Sequence, residues 1–272
     1  MKEINELNNL LSKYVDQGFF PGVQWQINIE DDVYAGKYGL NNIDTKQEVF
    51  DNSIYRIWSM TKPIVAIAAL KLVEEKKITL DDPITEYLPE FNGLQVMARE
   101  DGNVEDVETI IQYPTIRDLF LHTAGFSYNF LADPVGKQYD QLRLFNSDTT
   151  TLEEEIKILA KAPLLFQPQT SWRYSVSMDV LARIVEIVRG NSLQSVLQRE
   201  IFEPLNMNDT AFTVSSENQY KVMASYEYDP VKNKLSELIS DPQKIGNYGY
   251  PLNISSYARG GHGLFSTLND YA

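Results

Sequence analysis

Residues 57–77 read I-W-S-M-T-K-P-I-V-A-I-A-A-L-K-L-V-E-E-K-K, and the fold of the chain is decided by this stretch. Between Pro63 and Leu72 the only charged side chain is Lys71. A helix that is apolar nearly all round is typical of a domain interior and not of a surface. Proline is tolerated in the first turn of a helix, where N–H groups have no intrahelical partner. The stretch therefore predicts a buried helix that begins near Ser59.

The serine and a lysine of this helix form an S-x-x-K pair. Ser59 and Lys62 are three residues apart, so their side chains share one face of the helix. A serine hydroxyl becomes a good nucleophile only when a base takes its proton. Burial and the positive end of the helix dipole both favour a neutral lysine amine that can act as this base. The spacing also arises by chance, and the alternative is an N-cap serine beside a solvated lysine.

The composition excludes several classes of function. A chain of 272 residues with 43% hydrophobic content is long enough for one large domain or two subdomains. The net charge of −14 argues against nucleic acid and anionic membrane surfaces as partners. The absence of cysteine excludes disulfides and thiolate chemistry. Two histidines without an H-x-x-x-H pair disfavour a metal hydrolase, and no G-x-S-x-G marks a Ser-His-Asp hydrolase. No cofactor and no metal are therefore predicted.

The N-terminal residues predict an amphipathic helix. Leu7, Leu10, Leu11 and Tyr14 recur at helical spacing with polar residues between them, and no apolar core of a signal peptide is present. No apolar segment is long enough to cross a bilayer. The sequence as given predicts a cytoplasmic protein, or a secreted one if a leader has been removed.

Strand patterns occur near both ends of the chain. Residues 23–29 alternate between apolar and polar side chains, and residues 33–40 follow a D-D turn, which predicts an antiparallel hairpin. Residues 224–235 predict a second hairpin with D-P at its corner. Together with the buried helix, these strands indicate an α/β layer.

Local capping signals mark two helices in the middle of the chain. Thr115 and Asp118 form a capping box for a short helix that reaches His122. We expect His122 to interact with the last carbonyls and the dipole of this helix, and not to act in catalysis. Ser177 is the predicted N-cap of a longer helix that Gly190 ends.

Several segments, in order, resemble one family: S-M-T-K at 59–62, I-T-L-D-D-P-I-T-E-Y-L-P at 78–89, T-I-R-D-L-F-L-H-T-A-G-F at 115–126, Y-S-V-S-M-D-V-L-A-R-I-V-E at 174–186, and G-G-H-G-L-F-S-T-L-N-D-Y-A at 260–272. The chain resembles the serine β-lactamase and penicillin-binding-protein superfamily, in particular its class C and family VIII esterase-like branch. Any one of these motifs is weak, but together they are specific.

The resemblance implies a β-lactamase/transpeptidase-like fold, in which an α/β part with an antiparallel sheet flanked by helices joins an all-α subdomain. We expect residues 1–80 to form the first part of the α/β lobe, including the serine helix. Residues 81–222 are expected to form the helical lobe, and residues 223–272 to return to the α/β lobe. The site is expected between the lobes.

The resemblance also implies roles for individual residues. Ser59 would be acylated, while Lys62 and Tyr174 would act together as general base, although a tyrosine in this position is more often a core ring. Ser175 and Val176 would lie in the substrate-binding region. Val176 takes the place of the asparagine that holds an amide in β-lactamases and peptidases, which points to the esterase branch.

The family's third motif, a K-T-G or H-x-G-like element, is expected to follow Ala272. The strand that carries it would supply the second N–H of the oxyanion hole, beside that of Ser59, and loss of one such donor costs about 10²- to 10³-fold in rate. The C-terminal strands are thus expected to be missing from this chain. Residues 1–272 alone are expected to be inactive and poorly stable, with one side of the serine helix uncovered.

The leading interpretation is a serine acyl hydrolase that acts on small acyl esters through a covalent acyl-enzyme. One alternative is a β-lactamase or a D-Ala-D-Ala carboxypeptidase. An alternative of another class is a ligand-binding or sensing module without turnover. The partner is predicted to be a small-molecule ester or amide, without nucleic acid or a membrane span, and the oligomeric state is left open.

Overall fold

The computed structural model describes residues 2–145, 150–238, 252 and 258–272. Its helices, in chain order, are α1 (Lys2–Asp16), α2 (Thr61–Glu74), α3 (Ile116–Leu121), α4 (Pro134–Gln141), α5 (Leu152–Leu159), α6 (Ser177–Arg189), α7 (Leu193–Leu197), α8 (Glu203–Leu205) and α9 (Leu268–Tyr271). Its strands are β1 (Gly22–Ile29), β2 (Asp32–Asn42), β3 (Gln47–Glu48), β4 (Ile54–Arg56), β5 (Gln95–Met97), β6 (Val107–Thr109), β7 (Tyr226–Asp229), β8 (Lys234–Glu237) and β9 (Phe265–Thr267). The strands pair antiparallel as β1-β2-β3, β4-β9, β5-β6 and β7-β8.

The chain divides into two compact units, of which the first comprises residues 1–56, 205–253 and 264–272. Both predicted hairpins are present in this unit, as β1-β2 and β7-β8. The buried Trp25 of β1 donates a hydrogen bond from Nε1 to Asn8 Oδ1 of α1 at 3.0 Å. Gly36 lies opposite Trp25 in the register, and a Cβ there would come within 2.6 Å of this ring nitrogen. The close approach of the tryptophan therefore requires glycine at this position.

The second unit comprises residues 57–204 and 254–263 and contains the serine helix. A 3₁₀ turn over Trp58–Met60 leads into α2. Within α2 the buried positions are Thr61, Lys62, Ile64, Val65, Ala68, Ala69 and Leu72. Ile67 and Leu70, however, are each about half exposed. The prediction of a helix buried nearly all round is wrong for this one face, because α6 and α7 pack against α2 elsewhere.

Local capping chemistry determines where two helices of the second unit begin. Thr115 and Asp118 form the predicted capping box of α3, in which each side chain accepts a hydrogen bond from the other residue's backbone N–H. In contrast, Ser177 is not an N-cap: Val176 holds that position, and Ser177 is the first residue of α6. The Ser177 hydroxyl lies 2.8 Å from Ser175 Oγ, and this side-chain contact replaces a cap. Gly190 ends α6 in the left-handed conformation, as predicted.

The boundaries of the two units differ from those of the lobes expected from the sequence, and the lobes stay a prediction. The divisions fall after residues 56 and 204, whereas the expected boundaries follow residues 80 and 222. The serine helix therefore belongs to the second unit. The sequence is rich in glycine between residues 246 and 263, and most of this stretch lies outside the described residues. No helix in the described part of the chain is both long and apolar enough to cross a membrane.

Candidate active site

Ser59 lies on an exposed turn immediately ahead of a buried helix. Trp58, which begins this turn, has a φ of 46° in the left-handed region. For a bulky residue that conformation costs about 1–3 kcal/mol and recurs at functional sites. The Trp58 ring stacks on His262 with a centroid distance of 6.4 Å. The sequence thus places an accessible hydroxyl on a strained turn at the N-terminal end of α2.

Two side chains converge on the Ser59 hydroxyl. Tyr174 Oη donates to Ser59 Oγ at 2.8 Å. Lys62 Nζ lies one turn along α2 and donates to the same oxygen at 3.2 Å. Both distances lie within reach of direct proton transfer. The three residues predicted from the sequence are therefore brought together, and all three belong to the second unit.

Lys62 is held in a largely aromatic environment. Its side chain is buried, and Nζ donates to the carbonyl oxygen of Gly261 at 2.7 Å. Nζ also lies 4.7 Å from the ring centroid of Tyr174 and 5.3 Å from that of Tyr128. Such contacts with ring faces stabilise a cation that has lost water. Tyr128 was missed by the sequence analysis because its ring reaches Lys62 only through the tertiary fold.

A carboxylate on α6 fixes the backbone that receives Lys62. Asp179 Oδ1 accepts a hydrogen bond from the N–H of Gly261 at 2.9 Å. A Cβ on Gly261 would lie 2.5 Å from Tyr128 Oη and 2.6 Å from Asp179 Oδ2, so only glycine fits between them. Asp179 and Gly261 were also not predicted from the sequence. Both fall inside the quoted motifs, but nothing in the spacing showed that they meet.

His122 is a neutral acceptor beside the tyrosine. It ends α3 in the left-handed conformation, and its ring lies 5.0 Å from that of Tyr174. Its Nδ1 accepts from the N–H of Ser175 at 3.2 Å and lies 3.1 Å from the Ser175 hydroxyl. Burial, with a smaller effect of the Lys62 cation, lowers the pKa of His122 to about 4. The expected interaction of a charged imidazole with the helix dipole is therefore wrong at neutral pH.

Ser175 and Val176 are not brought to the accessible side of the site. Both side chains are buried, at 1% and 0% exposure. The Ser175 hydroxyl faces His122 and Ser177, and the N–H of Val176 donates to Ser127 O at 3.1 Å. The motif gave their positions along the chain but not the direction of their side chains. Direct contact of these two side chains with substrate stays a prediction.

Exposed aromatic rings continue outward from Tyr174. The Tyr128 ring lies 5.3 Å from Tyr174 and stacks on Phe130 at 4.7 Å. On the other side, the His122 ring meets the edge of Trp172 at 6.4 Å. Phe130 and Trp172 are 61% and 63% exposed. Within the ranges that the structure describes, no cluster of three His, Asp or Glu side chains could hold a metal.

Comparison with known proteins identifies relatives over most of the chain. The model of the Beta-lactamase family matches residues 7–272. Esterase EstB of Burkholderia gladioli is 30% identical over 249 residues, which cover 88% of this chain and 60% of that esterase. Lovastatin esterase of Penicillium rubens is 31% identical over 247 residues, covering 87% of this chain and 57% of that protein. The chain thus spans less than two thirds of the length of these relatives.

The fold is shared with a solved structure. EstCE1, described as a hydrolase with promiscuous acyltransferase activity, superposes with a TM-score of 0.81 at 24% identity. The superposition covers 99% of this chain and 71% of EstCE1. Together with the family match, this confirms the predicted fold class.

Proposed function

Because the chain belongs to the β-lactamase family, we propose that it is a serine acyl hydrolase that cleaves small esters through a covalent acyl-enzyme. One observation carries the proposal. An exposed Ser59 hydroxyl lies 2.8 Å from Tyr174 Oη and 3.2 Å from Lys62 Nζ, so two side chains that can exchange a proton with this hydroxyl are already within hydrogen-bond distance of it.

The geometry supports two chemically matched steps. In acylation, Ser59 Oγ forms a bond to the ester carbonyl carbon while its proton passes to the Tyr174–Lys62 pair. The bond from this carbon to the alcohol oxygen breaks, and the leaving alkoxide takes the proton from the pair. In deacylation, a water attacks the acyl carbon, gives its proton to the pair, and Ser59 Oγ leaves and recovers it. The two side chains act together because both contact the oxygen whose proton is transferred.

Esters are the substrate class with the best support. The two relatives described above are both named as esterases. The position that resembles the amide-holding asparagine is Val176, whose side chain is apolar and buried. An amide group left without a partner in a closed site costs about 1–3 kcal/mol. A β-lactam or peptide substrate would bear this cost, whereas an ester lacks the amide N–H.

The test compares substrates on the full-length protein. We expect p-nitrophenyl acetate or butyrate to be hydrolysed with a higher kcat/KM than nitrocefin. A value for nitrocefin equal to or above that of the esters would favour the β-lactamase alternative. Stoichiometric labelling by a fluorophosphonate without turnover of any substrate would favour a binding or sensing module.

The nucleophile is tested by the same label. Ser59→Ala should abolish labelling, because no other hydroxyl in the site has both donors on it. Ser236→Ala, which changes an exposed serine on β8, is the matched control and should label like the wild type. Stoichiometric labelling of Ser59→Ala would overturn the assignment.

A further inference from the structure

Asp179 is a fully buried carboxylate that the proposed mechanism does not yet use. It lies in the first turn of α6, and its Oδ1 accepts from the N–H of Gly261 at 2.9 Å. The carbonyl of Gly261 in turn accepts from Lys62 Nζ at 2.7 Å. Both backbone groups of one residue are therefore fixed, one by the carboxylate and one by the ammonium group.

The backbone at residues 260 and 261 packs too closely on its neighbours for a side chain larger than that of glycine. A Cβ on Gly260 would lie 2.0 Å from the carbonyl oxygen of Met178 on α6. A Cβ on Gly261 would lie 2.6 Å from Asp179 Oδ2. Two adjacent glycines thus allow the segment at residues 260–261 to lie directly on the first turn of α6. The position of the Gly261 carbonyl, and with it the position of Lys62 Nζ, depends on this contact.

The second oxygen of Asp179 indicates a role beyond a backbone hydrogen bond. Asp179 Oδ2 is buried and has no hydrogen-bond partner in the described structure. A buried carboxylate is costly unless cations balance it. The cations that favour its ionised form are Lys62 and Arg259, and Arg259 is already paired with Glu155 at 2.8 Å. We therefore take Lys62 as the cation on which the negative charge of Asp179 acts.

We propose that Asp179 is a positioning residue of the catalytic machinery, which holds Lys62 against Ser59 through both backbone groups of Gly261 and through its negative charge. The inference rests on the proposed function, because Lys62 must share the serine proton for its position to matter. Asp179 itself touches neither substrate nor the reacting atoms.

The proposal carries a pH signature. Burial raises the pKa of Asp179 to about 6, against the opposing effects of the Gly261 N–H and the two cations. The groups that face it are Lys62 on α2, Tyr128, Glu155 on α5 and Arg259. Below about pH 6 the carboxyl is neutral and its charge no longer acts on Lys62. Above this pH the carboxylate is ionised and the positioning effect is complete.

The substitution Asp179→Asn separates the effect of the negative charge from the effect of the side chain's shape. Asparagine has the same shape and can still accept the Gly261 N–H, so the fold is kept while the negative charge is lost. The measurement is the second-order rate constant for fluorophosphonate labelling of Ser59, together with kcat and KM for p-nitrophenyl acetate, from about pH 5 to about pH 8. The wild-type to variant ratio should be near one at the acid end. The ratio should rise through pH 6 to about 10-fold. This is less than the 10²- to 10⁴-fold that general base catalysis supplies in full, because the base itself is still present. The loss should appear in kcat and not in KM.

Glu186→Gln is the matched control, since it removes a carboxylate from the same helix away from Gly261. Its ratio to wild type should not vary with pH, and circular dichroism should show that both variants are folded. A ratio for Asp179→Asn that is constant with pH, or equal to one throughout, would overturn the inference. If the wild type itself does not label at Ser59, the proposed function fails instead.

A second measurement covers the case in which Asp179→Asn does not fold. In the wild-type protein, the ¹³Cε resonance of Lys62, assigned by its loss in Lys62→Arg, should shift with an inflection near pH 6 as Asp179 ionises. A resonance that does not change between about pH 5 and about pH 7 would overturn the proposal without any variant of Asp179.

Discussion

The Ser59 oxygen accepts a hydrogen bond from each of two side chains, and those side chains also contact each other, since Lys62 Nζ lies 4.7 Å from the Tyr174 ring. Groups that share one proton act as a unit, so their losses do not add. This arrangement can be tested by substituting Lys62 and Tyr174 singly and together.

Lys62→Ala, Tyr174→Phe and the double variant should lose similar amounts of ester kcat/KM, each about 10²- to 10⁴-fold. Removing either partner already disables the shared base, so the second substitution has little left to remove. Steady-state kinetics on the three variants measures this. Tyr220→Phe, which changes an exposed tyrosine of the first unit, is the control. Losses that multiply in the double variant would mean that one of the two residues only packs.

At the residue scale, the residues that we propose to react are easier to predict from the sequence than the residues that hold them in place. Ser59 and Lys62 could be named because one helical turn links them. Asp179 and Gly261 could not, because they lie 82 residues apart in the chain and meet only when the segment at 260–261 packs on α6. Spacing along the chain carries no information on such a contact. The sequence likewise does not show the direction of the Val176 side chain, because this direction depends on where α6 begins.

At the element scale, one buried ion pair attaches α5 to the segment that carries Gly261. Arg259 and Glu155 are both buried, and Arg259 Nη2 donates to Glu155 Oε1 at 2.8 Å. The other carboxylate oxygen of Glu155 accepts from the N–H of Phe145. Arg259 also donates to the carbonyl of Thr150 at 2.9 Å. The pair thus fixes the start of the stretch that reaches Lys62.

Glu155→Gln should lower the free energy of unfolding by about 3 kcal/mol, because it removes the buried carboxylate that is paired with Arg259 at 2.8 Å. Urea unfolding followed by circular dichroism measures the change. Glu153→Gln on the same helix is the control, since its ion pair with Lys157 is exposed and its pair with Arg183 is only partly buried, and exposed pairs contribute about 1 kcal/mol or less. Equal stability of Glu155→Gln and wild type would show that the buried pair does not hold this segment.

Two predicted element ends are confirmed, whereas the predicted N-cap of α6 at Ser177 is wrong and the buried face of α2 was only partly predicted. The capping box of α3 and the glycine that ends α6 depend on residues within a few positions of each other, so their chemistry can be read from the sequence. Which side of α2 is buried depends on what packs against it. Ile67 and Leu70 look like their buried neighbours in sequence, and only the packing distinguishes them.

For the whole molecule, the dominant property is its net charge of −14. Such a charge repels anionic ligands over a distance of about one Debye length, which salt shortens from ~30 Å at 0.01 M to ~10 Å at 0.1 M. A neutral ester is unaffected by this field. For the proposed ester hydrolase, the net charge should therefore favour neutral over anionic substrates.

For p-nitrophenyl glutarate, an anionic ester, kcat/KM should rise several-fold as NaCl increases from about 10 mM to about 300 mM, because screening removes the repulsion. For p-nitrophenyl butyrate, which is neutral and of similar size, kcat/KM should stay nearly constant. Initial rates with both esters at several salt concentrations measure the difference. The same salt response for both esters would contradict a role of the overall charge.

The placement of the tryptophans has an optical consequence. The chain has three: Trp25 is buried beneath α1, whereas Trp58 is bonded directly to Ser59 and Trp172 reaches Tyr174 through His122. Two of the three indole rings are thus exposed next to the reacting groups, and the third is shielded from them. In the proposed acyl-enzyme, an acyl group on Ser59 would change the surroundings of the first two, while Trp25 would serve as an internal reference. Tryptophan fluorescence should therefore report the proposed acylation without an attached dye.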